Sequence, residues 1–401
     1  MLEQVKATTI EAYDYHLPEE KIAKYPLENR PDSKLLISKR AGYLVESTIA
    51  EIGDYIPYDS LLFFNETKVV HARLPFKKET GGLIEIFCLE PLDHTDPQVA
   101  MAAKNKSRWK CFVGGAKKWK EGPVSIEANG ILLKAYNLGR TDDAFEIGFE
   151  WDGESDFSEV LSSLGELPLP PYMNRDTEPS DEDRYQTVYA KNEGSVAAPT
   201  AGLHFTEEMI DSLKTKGVYP SYLTLHVGAG TFKPVKTDTI EEHVMHHELI
   251  DVDISALKDV QFALGPVIPV GTTSLRTLES LYWFGVKASE NKLDPNSLIL
   301  NQWEAYEDWP NISLKESMKA LRAFMQEHDL TRFIAKTQLI IAPGYKLKVA
   351  RGLVTNFHQP KSTLLLIIAA MIGDNWKKLY EHALNNDYRF LSYGDCCFLI
   401  P

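Results

Sequence analysis

Between about residues 71 and 155 the chain runs in short stretches of alternating apolar and polar residues. Beyond about residue 156 that pattern gives way to helices alternating with apolar strands. A period of two belongs to strands with one buried face, and a period near 3.6 belongs to helices, so the switch limits the fold severely. Runs at 85–90, 109–113, 131–136 and 144–149, separated by Gly, Asn and Asp, predict a small antiparallel β-barrel. β-rich runs also stand at 35–45 and 61–70. Further on, Thr206 caps a predicted helix that runs to Lys216 and stops at Gly217. Strands are expected at 222–226, 267–270 and 338–342, with a helix beginning near Arg276. Ser362 opens an apolar helix. An amphipathic helix at 313–327 places Leu314, Met318, Leu321, Phe324 and Met325 on one side. The expected architecture is an α/β core, a mixed sheet with helices, built from 1–70 and 156–401, with 71–155 as an inserted small antiparallel β-barrel domain.

Bulk properties exclude several classes. The most apolar stretch, 364–371, is too short to span a bilayer, and the N-terminus lacks the basic start and apolar run of a signal peptide. Four cysteines, two adjacent at Cys396 and Cys397, form neither a disulfide framework nor a C-x-x-C zinc pair, so a reducing cytoplasm is expected. A net charge of −14 opposes indiscriminate binding to a polyanion. Positive charge is instead concentrated at 104–120, which holds Lys104, Lys106, Arg108, Lys110, Lys117, Lys118 and Lys120, with Trp109 and Trp119 and no acid. Cations interleaved with aromatics suit phosphate contact plus base stacking, or simply a solvated hairpin face.

Residues 184–206, RYQTVYAKNEGSVAAPTAGLHFT, are too polar for a core element and too rich in reactive side chains for an ordinary linker. Arg184, Tyr185 and Thr200 supply donors, and the small residues let backbone approach a ligand. His204, between Gly202 and a helix start, is the first choice for acid/base work, with a helix dipole expected to lower its pKa. His226 is the second choice, since it ends a strand before the glycine-rich turn at 228–231, which includes Thr231. The strand-to-helix turn at 271–276 offers hydroxyls such as Thr273 and the cation Arg276, either for an anion or for simple capping. His243, His246 and His247 share a predicted helical face among glutamates, but no H-E-x-x-H occurs and no metal is expected. Glu242 or His246 would rather hold a ligand hydroxyl.

The strings RYQTVYA and GSVAAPTAGLHFT resemble the signature of the S-adenosylmethionine:tRNA ribosyltransferase-isomerase family of queuosine biosynthesis. The resemblance extends in order through FFNETKVVHARL, ELPLPPYMNR, LTLHVGAGTFKPV, VGTTSLRTLES, GLVTNFHQPKSTLLL and YRFLSYGD, covering nearly the whole chain. Residues 95–151 and 291–336 depart from the family pattern. The resemblance implies ribosyl transfer from S-adenosylmethionine to 7-aminomethyl-7-deazaguanine at the tRNA wobble position. Epoxyqueuosine-tRNA forms, and adenine and methionine leave. It implies no prosthetic group, a monomer acting on the anticodon stem-loop, and catalytic roles within His204, His226 and Thr200. Arg184, Tyr185, Thr231, Glu242, His246, Thr273, Arg276, Tyr345, His358 and Lys361 would bind substrate, with Tyr345 or Phe357 facing the sulfonium. Lys346, with Lys348 and Arg351, would join Lys117, Lys118 and Lys120 on tRNA phosphate. Two rival classes make different demands. An S-adenosylmethionine-dependent RNA methyltransferase needs a glycine-rich loop after its first strand, which is absent near 35–40. A non-catalytic RNA-binding module should be basic overall.

Overall fold

The computed structural model describes residues 2–78, 81–120, 122–141, 144–228, 235 and 237–401. Three short strands, Val267–Pro269, Leu61–Asn65 and Tyr219–His226, lie side by side and parallel. Glu248–Asp253 and Arg332–Thr337 extend that sheet antiparallel, and Ile299–Leu300 closes its far edge. Val267–Pro269 and Leu61–Asn65 are apolar save for Asn65 and buried almost throughout, as strands covered on both faces must be. A second sheet pairs Lys34–Lys39 with Tyr43–Thr48 and with the C-terminal strand Cys396–Leu399, which also pairs with Leu353–Asn356. The expected strand at 338–342 does not form. Its apolar run is buried as irregular chain, and the strand lies just upstream at Arg332–Thr337.

The inserted segment forms a six-stranded antiparallel sheet, and its edge strands Arg73–Lys77 and Val124–Ala128 approach each other to nearly close a barrel. Alternation sorts the side chains. Leu74, Phe76, Ile86, Cys88, Trp109, Cys111, Ile147 and Phe149 are buried inside, while Phe87, Leu89, Lys110 and Phe112 stand outside. The helix Phe157–Leu164, opened by an Asp156–Glu159 capping box, belongs to the same apolar core although it lies past residue 155. Phe157 stacks on Trp109 at 5.3 Å between ring centroids.

Helix Thr272–Ser289 runs through the main core, buried on nearly every side. The amphipathic helix appears as Leu314–Glu327 with a Ser313–Glu316 capping box, and Met318, Leu321, Phe324 and Met325 are buried as the pattern predicts. It lies so close to the long helix that a Cβ on Gly285 would meet Ser317 Oγ at 2.2 Å. The departing segment 291–336 therefore builds core and sheet edge.

One buried carboxylate ties this core together. Glu279 accepts from Tyr345 Oη at 2.9 Å and from the amides of Lys348, Val349 and Ala350 at 2.8, 2.9 and 3.0 Å. Burial raises its pKa against those bonds. Glu279→Leu would strand three amides and a phenol in the interior. At about 1–3 kcal/mol per unpaired buried donor, a loss of at least roughly 4 kcal/mol is expected in urea unfolding. A loss below about 1 kcal/mol would show that the turn at 345–350 holds without the carboxylate.

Candidate active site

The parallel strands all run out on the same side, where open α/β sheets place their crevices. Asn65 fixes that edge. Its buried amide accepts from Leu225 N at 3.1 Å and Thr67 N at 3.2 Å, and donates to Leu225 O at 3.0 Å. Residues 184–206 are sewn onto the same edge. Gln186 bonds both backbone groups of Val69, at 3.0 and 2.8 Å. Asn192–Ser195 pairs parallel with Thr67–Val69, and Asn192 Nδ2 donates to Thr224 Oγ1 at 2.8 Å. Ser195 Oγ donates to Ala197 O at 2.8 Å and accepts from Val227 N at 3.1 Å.

Two residues of this segment expected to contact a ligand have partners within the protein. Arg184 donates to the carbonyls of Leu27 and Glu28. Tyr185 is fully buried with its ring against Tyr393. A Cβ on Gly202 would lie 2.0 Å from Tyr189 Oη, so only glycine fits there. The polar side chains hold the loop, and its small residues face the crevice.

That crevice has two hollows. The first, of about 100 Å³, is lined by residues 197–201, Gly271, Thr272, Thr273, Asn356, Phe357 and His358. The second, of about 390 Å³, lies between barrel and core and is lined by Lys110, His226, His246, His247 and Lys336 among others. Val227 borders both.

Behind the first hollow runs a directed chain of hydrogen bonds. Thr200 Oγ1 donates to Asn356 Oδ1 at 3.0 Å, which turns Asn356 Nδ2 towards His204 Nε2 at 3.1 Å. Nε2 must then accept, so His204 Nδ1 carries the proton and faces Ser33 Oγ at 3.0 Å. Burial, with Arg389 and Arg30 nearby, lowers the His204 pKa to about 3. The expected helix dipole is not among the causes. His358 is likewise lowered to about 3 by burial, with Nε2 3.0 Å from Thr355 Oγ1.

His226 differs from both. Burial lowers its pKa to about 4, with Asp96 opposing and Arg332 assisting. Nδ1 lies 3.4 Å from Thr67 Oγ1, while Nε2 has no hydrogen-bond partner among the described residues.

Other residues expected to bind substrate also have partners within the protein. Arg276 is buried in an ion pair with Glu248 at 2.8 Å, one turn inside a helix that already starts at Thr272. Tyr345 is spent on Glu279 and on Trp283 Nε1. Lys361 is neutralised by Glu11 at 2.7 Å and Asp14 at 3.1 Å. Residues 243–247 are irregular chain, so their histidines share no helical face, and among the described residues no metal-ligand group of three or more His, Cys, Asp or Glu occurs. Glu242 is exposed beside them, whereas His246 lines the second hollow. Trp109 and Trp119 are buried and cannot stack on bases, while Lys117, Lys118, Lys120 and Lys346 are exposed. Thr231 lies outside the described residues. Ser33, Thr67 and Lys336, which border or support the two hollows, were not singled out by sequence, because each meets partners far away in sequence.

A crevice at strand ends, lined by neutral histidines and hydroxyls, is that of an α/β enzyme acting on a polar ligand. The chain belongs to the queuosine biosynthesis protein family, whose pattern matches residues 10–399. It is also similar to a crystal structure of S-adenosylmethionine tRNA ribosyltransferase from Thermotoga maritima. The two are 25% identical, with a TM-score of 0.46, over 97% of this chain and 99% of that one. No helix among the described residues is long and apolar enough to cross a membrane.

The buried histidines set an acid limit on stability. A histidine whose folded pKa is depressed contributes fully above its unfolded value of about 6.5 and loses that contribution as pH falls towards the folded value. For His204 the window runs from there down to about 3. At pH 5 the loss is roughly 2 kcal/mol, from about 1.5 pH units at 1.36 kcal/mol each. Urea unfolding of His204→Gln between pH 6.5 and 5 should show a slope shallower than the parent's by about one proton. Equal slopes would mean that His204 is not buried neutral.

Proposed function

We propose that this protein transfers and isomerises the ribosyl group of S-adenosylmethionine onto 7-aminomethyl-7-deazaguanine at the tRNA wobble position, releasing adenine and methionine. Membership of the queuosine biosynthesis family along residues 10–399 carries this reading. The chemistry needs a base for the hydrogen made acidic by the sulfonium, a proton donor for departing adenine, and shelter from water. S-adenosylmethionine is consumed as substrate, so no prosthetic group is required. The enzyme works as a cytoplasmic monomer on the anticodon stem-loop, a setting consistent with four buried free cysteines.

Within that reading, His226 moves the proton. It is held neutral by burial, lines the larger hollow, and keeps one ring nitrogen unengaged among the described residues. His204 was the stronger candidate by sequence, but both its nitrogens are engaged. Its role is to orient Asn356 and, through it, Thr200 at the first hollow. Thr273 and His358 line that hollow and contact substrate there. Lys117, Lys118, Lys120 and Lys346 remain exposed cations for more distant tRNA phosphates.

Incubation with S-adenosylmethionine and tRNA carrying the aminomethyl base should yield adenine, methionine and modified tRNA. Formation of S-adenosylhomocysteine instead would establish methyl transfer and refute ribosyl transfer. His226→Ala should lower kcat by about 10²–10⁴-fold, the range for loss of a general acid or base, with S-adenosylmethionine binding retained. His204→Ala should lower it less, and His204→Gln should recover part of that loss. A larger loss in His204→Ala than in His226→Ala would exchange the two roles.

A further inference from the structure

The second hollow carries a charge pattern that neither the family nor the histidines explain. Lys110 projects from the outer face of the barrel strand Lys106–Gly114, because its neighbours Trp109 and Cys111 fill the interior. Lys336 projects from the core strand Arg332–Thr337, between buried Ala335 and Thr337. Two ammonium groups from separate sheets are thus brought to one rim. Glu90 lies between them, 3.7 Å from Lys110 and 3.9 Å from Lys336. Both distances are longer than a hydrogen bond, and all three side chains are partly open to water, so the arrangement is weakly held. Among the described residues lining this hollow, Glu90 is the single acid against the two lysines. A local surplus of positive charge therefore stands in a chain of net charge −14.

We propose that this rim binds the sugar-phosphate backbone of a single-stranded RNA loop, with Lys110 and Lys336 each taking a phosphate and Glu90 swinging aside. The proposal rests on the tRNA reading above and names the place where the loop enters. Lysine is a compact charge suited to phosphodiester oxygens, which fix register without reading sequence. S-adenosylmethionine fits the rim poorly, since its ammonium and sulfonium outweigh its one carboxylate and two lysines would repel it. The apolar lining around the lysines, Leu89, Pro91, Val244 and Met245, can take the faces of unstacked bases, and His226 lies in the same hollow. The mouth accordingly holds the backbone and the interior holds the reacting nucleotide.

Binding of tRNA to the full chain, titrated over a range of salt concentrations, tests this. K110Q/K336Q should flatten the slope of log affinity against log salt by about 0.7 per lysine removed, the value for single strands. Its affinity for S-adenosylmethionine should be unchanged, and K110R/K336R should restore the slope. Glu90→Gln should tighten tRNA binding, because it removes the one negative charge at the rim. An unaltered slope in K110Q/K336Q together with no gain in Glu90→Gln would overturn the proposal and leave the rim a solvated ion pair. Loss of S-adenosylmethionine affinity with an unaltered slope would overturn it too, placing the donor's carboxylate there. In either case adenine release by the parent protein would still uphold ribosyl transfer, whereas its absence would count against that reading alone.

Discussion

The crevice depends on one buried amide. Asn65 sits where its strand ends and bonds both backbone groups of Leu225 on the neighbouring parallel strand. A parallel pair leaves its terminal amides and carbonyls without partners just where a ligand site must open, and a buried unpaired group is costly. Asn65 and Ser195 supply the missing partners from side chains. Val227 can then leave the sheet and border both hollows. Gln186 and Asn192 do the same for residues 184–206, which is why so polar a segment can lie against an apolar sheet.

That arrangement separates the groups that hold the site from those that face its ligand. The tyrosines, arginine and amides of residues 184–206 point into the protein, and alanines, proline and Thr200 are left on the crevice side. His204 follows the same logic. A neutral imidazole between a hydroxyl and an amide has one tautomer, and that tautomer fixes the direction of the whole chain from Ser33 to Thr200. Its value to the site is orientation. His226 has no such pair of partners, and that difference distinguishes two histidines which look alike in sequence.

Electrostatics follows a comparable division. The protein is strongly acidic, yet much of the cationic stretch at 104–120 is occupied at home. Arg108 is engaged by Asp93 and Glu146, and Lys104 by a backbone carbonyl. The surplus that matters to the crevice arises where the barrel meets the core, and half of it comes from Lys336, more than two hundred residues further along the chain. A sheet brings distant segments side by side, so local charge density cannot be read from a window of sequence.

Sequence by itself determined the elements and the family. The period-two runs became barrel strands, Thr206, Ser313 and Ser362 became helix caps, and the ordered motifs marked the queuosine biosynthesis pattern. These signals are local, because capping and amphipathicity act within a turn or a strand. Only the tertiary structure decided which residues of those motifs face the crevice. Arg276 meets Glu248, Tyr345 meets Glu279, and Lys361 meets Glu11, each through a contact with a remote segment. The run at 338–342 has a strand's composition but no strand beside it to pair with, since the ladder is already taken at Arg332–Thr337. A side chain's role is set by what stands within about 3 Å of it, and in a mixed sheet with an inserted barrel that neighbour is seldom close in sequence.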